Sequence, residues 1–359
     1  MSTRIDAGRR ENSSVSADGF AGEATLVLAA TGGDQEAFRG LVEPLRRELH
    51  LFCYRMLGSV EDAEDVLQEA CFKAWRALAA YDQRSSFRTW MYRITTNASL
   101  DALRSRRRRV LPRDLGGPRD PALGLGEQRH DIAWVEPYPH PLAASHDPHA
   151  VAELRQSVRL AFIHALQTLP PRQRAALILR DVLDWSAAET ARALGTSVAA
   201  ANSALQRARA ALSTDTGRRT PVPRPAGLDR NTAEVAARYV AAWEAGDMDA
   251  IVSMLAEDAI QSMPPWAAWY TGRETLRALY SGYTVWGGHP GPGVFRIIPA
   301  SLNGDLVFAE YCRDGSEGPY HPLALTVARL SPDGGWIAEK LSFVDGGLLT
   351  RLGFPATLD

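Results

Sequence analysis

The residues best equipped for chemistry lie between Trp185 and Leu212. In Trp185-Ser-Ala-Ala-Glu-Thr-Ala-Arg-Ala-Leu-Gly-Thr-Ser197, Ser186 precedes Glu189 by three positions, the spacing of a reciprocal cap at a helix start. Ala187, Ala191 and Leu194 supply a small apolar face, and Gly195 lets the chain leave that helix in a left-handed conformation. Thr196 or Ser197 then caps a second helix that runs to Leu212. This layout is a helix-turn-helix. Ala201, Leu205, Ala208 and Leu212 are expected to face the core, leaving Ser197, Val198, Asn202, Ser203, Gln206 and Arg207 toward a DNA major groove. The early positions would sit nearest the bases and the later ones nearest the phosphates. An ordinary helical hairpin is the plainer alternative.

A second concentration lies upstream. From Gln83 to Arg113 the chain carries Arg84, Arg88, Arg93, Arg104, Arg106, Arg107, Arg108, Arg109 and Arg113 against the single acid Asp101. From Glu234 onward acids outnumber bases, so a near-neutral total of −2 hides a basic middle and an acidic tail. A polyanion partner for the middle explains that segregation, as does a solvated charged face. No catalytic constellation emerges. Asp258, Arg273, His289 and Glu310 are available for acid–base chemistry, but their spacing declares no triad, dyad or metal site. Cys53, Cys71 and Cys312 form no CxxC pair, which fits a reducing cytosol and implies no zinc. No cofactor is implied.

The elements that position these residues fall into separate segments. A chain of 359 residues is long for one core and suggests two or three domains. No run has the roughly 20 apolar residues of a membrane span. Residues 1–30 begin with a polar Ser/Gly-rich stretch, expected to be a disordered lead-in rather than a secretory signal. Residues 31–110 read as helix almost throughout. Val66, Ala70, Ala74 and Leu78 form one apolar stripe behind acids in the first turns, and a second helix runs from about Ser86 to Arg107. Residues 111–150 are rich in Pro, Gly and His and read as a linker, although Ala133-Trp-Val-Glu-Pro-Tyr-Pro139 is aromatic enough to dock on something. Residues 151–213 are helical, 214–230 form a second linker, and 231–359 open with helices at Ala233–Ala245 and Met248–Leu255. Strand-like runs follow at Phe295–Pro299, Leu306–Cys312, Leu323–Leu330 and Trp336–Val344.

Two blocks resemble the extracytoplasmic-function sigma factors. Asp62-Ala-Glu-Asp-Val-Leu-Gln-Glu-Ala70, then Ser86-Phe-Arg-Thr-Trp-Met-Tyr-Arg-Ile-Thr-Thr-Asn97 and Asp101-Ala-Leu-Arg104, are similar to region 2 of that family. Leu169-Pro-Pro-Arg-Gln-Arg174 through Leu212 is similar to region 4. The resemblance implies a factor that binds core RNA polymerase through its β′ clamp and β flap and reads promoter DNA. Asp65, Gln68 and Glu69 would meet the clamp helices. Arg84, Phe87, Arg88, Trp90, Tyr92 and Arg93 would combine charge with stacking on a melted −10 strand, Trp90 being as suited to a core. Asn97, Asp101 and Arg104 continue along the same helix, and Arg106 to Arg109 would add salt-dependent phosphate contacts. Region 4 would read the −35 element. Ala199, Ala200, Ala201 and Ala204 leave few donors there, so readout would lean on Asn202, Ser203, Gln206 and DNA shape.

The remainder, from Ala236 through Asp258 and from Met263-Pro-Pro-Trp266 through Trp269-Tyr-Thr-Gly-Arg-Glu-Thr275, resembles SnoaL-like domains of the NTF2-like superfamily. That implies an α+β cone with a pocket, beside two all-α modules. Sigma factors with this extension, the sigma factor G type among them, carry a linker motif matched by Trp134, Pro137, Tyr138 and Pro139. The expected pocket lining is Trp243, Met263, Trp266, Trp269, Tyr270, Phe308, Tyr311 and Phe343. The extension is expected to restrain the sigma modules in cis until a small ligand or regulatory protein shifts the balance. An enzyme tethered to DNA and a helix-turn-helix regulator that ignores polymerase are the alternatives. The expected location is the cytoplasm, with no membrane partner.

Overall fold

The computed structural model describes residues 17–139, 157–214, 230–281, 292–313, 315 and 317–359. Residues 1–16 of the N-terminal lead-in, residues 140–150 at the end of the first linker, residues 151–156, nearly all of the second linker and His289 lie outside them.

Four helices make the first unit: α1 (Ala17–Thr31), α2 (Gln35–Leu57), α3 (Val60–Ala77) and α4 (Phe87–Ser105). Of these, α1 corrects the disordered lead-in expected over residues 1–30, because Val27 and Ala30 pack into the core. Their ends are written in short polar residues. Asp34 accepts from the Glu36 and Ala37 amides at the start of α2, and Gly58, at φ 73°, ends it. Ser59 caps α3 and Ser86 caps α4. Ala63, Val66, Leu67, Ala70 and Ala74 form the buried stripe of α3. The acids expected off that stripe are indeed off it.

The second unit comprises α5 (Leu160–Thr168), α6 (Pro171–Leu177), α7 (Ala187–Ala193) and α8 (Val198–Thr214). Ser186 and Glu189 form the expected capping box before α7, Gly195 turns the chain at φ 60°, and the Ser197 hydroxyl accepts from the Ala200 amide in the first turn of α8. Ala201, Leu205 and Ala208 are buried and Leu212 half-buried, as helical spacing requires.

The C-terminal unit is a six-stranded sheet in the order β2-β1-β6-β5-β4-β3, with helices α9 (Arg230–Ala245), α10 (Met248–Ser253), α11 (Arg273–Ser281) and α12 (Gly346–Arg351). Its strands are β1 (Leu255–Ser262), β2 (Trp269–Thr271), β3 (Phe295–Leu302), β4 (Asp305–Cys312), β5 (His321–Leu330) and β6 (Ile337–Phe343). β1 pairs with β6 in parallel and the other neighbours are antiparallel. The last four strands lie where alternation placed them. β1 was not foreseen, because the helical period of Met248–Leu255 runs straight into it. One face of the sheet shares a core with α9, α10 and α11, through Tyr239, Trp243, Phe295 and Phe308 among others. The other face, with Val307, Tyr311, Leu325 and Phe343, joins α12 and the helical units in one continuous cluster. The sheet is thus a partition between the two helical units and a core of its own.

Candidate nucleic-acid interface and cavity

On α3, Asp65, Gln68 and Glu69 are exposed and lie on one side. Asp65 receives Arg106 at 3.4 Å, Gln68 bonds Glu64 at 3.0 Å, and Glu69 pairs with Lys73 at 2.8 Å. Phe72, one turn on, is 60% exposed with Arg76 over its ring. A large aromatic left in water beside three polar groups is a residue that pattern reading overlooked, since Phe72 was counted with neither stripe nor face.

On α4, Arg93, Asn97, Asp101 and Arg104 are exposed along one side, and Arg84 is exposed just before the helix. The expected stacking residues are placed otherwise. Phe87, Trp90 and Tyr92 are buried at 1%, 5% and 0%. Phe87 and Trp90 pack with Tyr81 in one aromatic group. Tyr92 meets Trp185 of the second unit at 4.8 Å between ring centres. Arg88 is occupied as well, held by both oxygens of Glu48 at 2.8 and 2.9 Å and lying over Tyr92 and Trp185. In this arrangement none of the three rings is open to a base. Two arginines of the run are engaged internally: Arg106 and Arg109 both reach Asp62, and Arg109 also reaches Glu136 at 3.1 Å, while Arg107 and Arg108 are exposed.

On α8, Ser197, Val198, Asn202, Gln206 and Arg207 are exposed and Ser203 is half-buried. The polar side of α8 is therefore open to solvent over most of its length.

The aromatic linker segment is docked. Tyr138 is 9% exposed, its hydroxyl 2.8 Å from His50 Nδ1 and its ring 4.7 Å from Tyr54. Asn303, in the β3–β4 turn, donates to the Tyr138 carbonyl at 2.8 Å, and the Tyr54 hydroxyl donates to the Glu136 carbonyl at 2.7 Å. Pro137 is buried, and Trp134 and Pro139 are half-buried. Burial pushes the His50 imidazole below its ordinary range, against the pull of Glu64. Farther upstream the linker runs along the C-terminal unit. Trp269 Nε1 donates to the Gly116 carbonyl at 2.8 Å, the Tyr270 hydroxyl to the Gly124 carbonyl at 3.0 Å, and Arg113 pairs with Glu339 at 3.0 Å.

The two helical units also hold each other. Arg55 donates to the Ser157 hydroxyl at 2.6 Å and to its carbonyl at 3.2 Å, while Arg174 reaches the Met56 carbonyl. Among the described residues neither guanidinium meets a carboxylate. Burial lowers Arg55 to about 10 and Arg174 to about 9. Arg159 binds Asp305 Oδ1 at 2.9 and 2.7 Å, and the Leu160 amide donates to Oδ2 at 3.3 Å, so the C-terminal unit caps α5 from outside.

The cavity lies in the C-terminal unit, with about 580 Å³ of empty space including its mouth. Trp243 and Met263 line it as expected. Its polar end was not foreseen as a group: Lys340, Glu310, Gln261, Ser342 and Tyr280. The other expected lining residues are elsewhere. Phe308 is stacked under Tyr239 at 4.1 Å, Tyr311 and Phe343 belong to the opposite face of the sheet, and Trp269 and Tyr270 serve the linker. Trp266 pairs its backbone with Gln128 of that linker. A two-residue strand period assigns side chains to alternate faces without saying which face is covered by helices.

Residues 41–109 match the sigma-70 region 2 family, 159–212 the sigma-70 region 4 family and 236–339 the SnoaL-like domain family. The ECF RNA polymerase sigma factor SigG of Mycobacterium tuberculosis is 40% identical over 349 residues, covering 92% of this chain and 89% of that protein. The chain belongs to the extracytoplasmic-function sigma factors. SigJ of the same organism is 34% identical over 218 residues, 60% of this sigma factor and 61% of SigJ. The crystal structure of SigJ superposes with a TM-score of 0.52 at 25% identity, covering 88% of this chain and 98% of that one. The helical units of this sigma factor are thus its regions 2 and 4, and the sheet is its SnoaL-like domain. No described helix is long and apolar enough to cross a membrane.

Proposed function

We propose that this sigma factor works in the cytoplasm and that its SnoaL-like domain restrains it in cis by holding regions 2 and 4 together. On this reading residues 31–110 and 151–213 are the polymerase- and promoter-binding modules, residues 111–150 and 214–230 their connections, and residues 231–359 the regulatory domain, without an enzymatic role. The observation that carries it is the set of contacts from the C-terminal domain to the linker and to region 4: Asn303 on Tyr138, Trp269 and Tyr270 on the linker backbone, and Asp305 on Arg159 and the start of α5.

The −10 and −35 elements stand roughly 25 base pairs apart, about 85 Å along the duplex at 3.4 Å per pair. Here Trp185, immediately before the helix-turn-helix, packs on Tyr92 of α4, so the readers of the two elements are neighbours. Engagement of both elements requires region 4 to leave region 2. The same movement uncovers the side of Tyr92 and Arg88 that Trp185 covers, while Phe52 and Glu48 of α2 stay against them, and so brings an aromatic edge and a cation toward a melted strand. The guanidinium groups of Arg55 and Arg174, buried without a carboxylate, lower the cost of that opening, because they regain water when the contact parts.

Polymerase binding then falls to Asp65, Gln68, Glu69 and Phe72, and the −10 strand to Arg84, Arg93, Asn97, Asp101 and Arg104, joined on opening by Arg88 and Tyr92. The −35 element falls to Ser197, Val198, Asn202, Ser203, Gln206 and Arg207. The test is transcription in vitro with bacterial core polymerase, comparing the full chain with one ending at Thr214. More promoter-specific transcript from the shorter chain is expected. Equal output from both would refute restraint by the C-terminal domain, and no binding of either to core polymerase would remove the polymerase role itself.

A further inference from the structure

This chain contains two lysines, Lys73 and Lys340, and uses arginine for every other permanent cation. Lys73 is exposed and paired with Glu69. Lys340 is the opposite case: 3% exposed, on β6, at the polar end of the cavity. Its Nζ sits 5.0 to 5.1 Å from the ring centres of Tyr239, Trp243 and Tyr280. Among the described residues its one hydrogen bond is a long one, 3.4 Å to the Tyr280 hydroxyl. An ammonium has three protons to donate. Among the described residues two of them have no acceptor, at the wall of this cavity.

We propose that the cavity binds a small, largely apolar aldehyde or ketone, which Lys340 captures as a reversible imine.

The surroundings favour a carbonyl over an anion. An incoming carboxylate would surrender its hydration among aromatic walls, beside a second carboxyl group, Glu310. A neutral carbonyl bears no such cost. Burial brings the Lys340 amine down to about 8, with the charge of Glu310 opposing, so an appreciable fraction is neutral and nucleophilic near physiological pH. An arginine in this place would stay charged and could not act. Burial likewise pushes the Glu310 carboxyl up, favouring its acid form.

The step balances without an oxidant or a metal. The Nζ lone pair forms a bond to the carbonyl carbon, and one of the nitrogen's protons passes to the carbonyl oxygen to give a neutral carbinolamine. Glu310 protonates the hydroxyl, which departs as water while the C=N bond forms, and the nitrogen's proton returns to the carboxylate. Gln261 and Ser342, bonded to each other at 3.0 Å, and the Tyr280 hydroxyl, bonded to Gln261 at 3.1 Å, offer polar contacts near the reacting end. Met248, Phe295, Ile297 and Val344 supply the apolar walls for the rest of the molecule. This capture stands whether or not the domain restrains transcription.

The test uses the full chain, 4-methylbenzaldehyde as the probe and sodium cyanoborohydride to reduce any imine to a stable amine, followed by peptide mass spectrometry. Lys73 and the N-terminal amine are internal controls. The Lys340 adduct is expected to form about tenfold or more faster than that on Lys73, to saturate with probe concentration, and to accelerate as the pH rises through about 8. Lys340→Met should remove it and leave labelling of Lys73 unchanged, and Glu310→Gln should slow it without emptying the cavity. A Lys340 adduct that forms no faster than the Lys73 one, or that rises linearly without saturation, would overturn the proposal. So would saturable binding of the probe with no adduct after reduction.

Discussion

Replacing Asp305 with alanine removes the one carboxylate that, among the described residues, ties the SnoaL-like domain to region 4. In the closed arrangement that carboxylate receives Arg159 at 2.9 and 2.7 Å and the Leu160 amide at 3.3 Å, with side chains only 12% and 17% exposed. A charge-assisted hydrogen bond contributes about 1.5–3 kcal/mol and an N-cap about 1 kcal/mol. Burial pushes the Asp305 carboxyl up in spite of Arg159, so desolvation consumes part of the attraction. About 2 kcal/mol is therefore the expected loss, equivalent to roughly thirty-fold in the ratio of open to closed forms. Anisotropy of labelled full-length protein titrated with core polymerase reads that ratio as apparent affinity, and run-off transcription reads it as output. Asp305→Ala and Arg159→Ala should each tighten binding toward that limit, and the double variant should add little beyond either, because both remove the same contact. Unchanged affinity in a folded Asp305→Ala protein, or fully additive gains, would refute the reasoning.

Phe72→Ser should weaken core polymerase binding by about tenfold while moving stability by no more than about 0.5 kcal/mol, since the ring is 60% exposed; parallel anisotropy and denaturant titrations separate the two. Arg207→Ala should reduce the slope of log affinity against log salt for −35 DNA by about 1 without changing which sequences are preferred, measurable by filter binding across a salt series. The docked linker should loosen in acid. With its folded pKa below the ordinary 6.5, His50 contributes stability that is complete above that value and lost as the pH falls through it toward the folded one. His50→Gln should flatten that part of the stability–pH curve measured by urea unfolding, and a slope of the opposite sign would exclude the assignment.

Local chemistry was legible in this chain wherever the structural cause is local. Ser59, Ser86 and the Ser186–Glu189 pair stop or start helices through contacts three residues long. Gly195 turns the helix-turn-helix through its own φ, and the stripe from Ala63 to Ala74 follows from the helical period. The polar face of α8 was legible for the same reason, and the family resemblance rests on these very segments. Composition and spacing could not say which surfaces would be covered. Phe87, Trp90 and Tyr92 have the residue types of a stacking platform, but Phe52 and Trp185 close over Tyr92 from distant segments, and Tyr81, just before α4, folds back on Phe87 and Trp90. Trp269 and Tyr270 have the residue types of a pocket wall, and the linker claims them. Glu310 stood among four residues available for acid–base chemistry with no partner declared by spacing; only the closing of α9, α10 and α11 over that face of the sheet brings it and Lys340 into one cavity. Helix caps and periods act over a few residues and are written there, whereas burial belongs to whichever segment arrives from elsewhere in the chain, and that the tertiary structure alone decided.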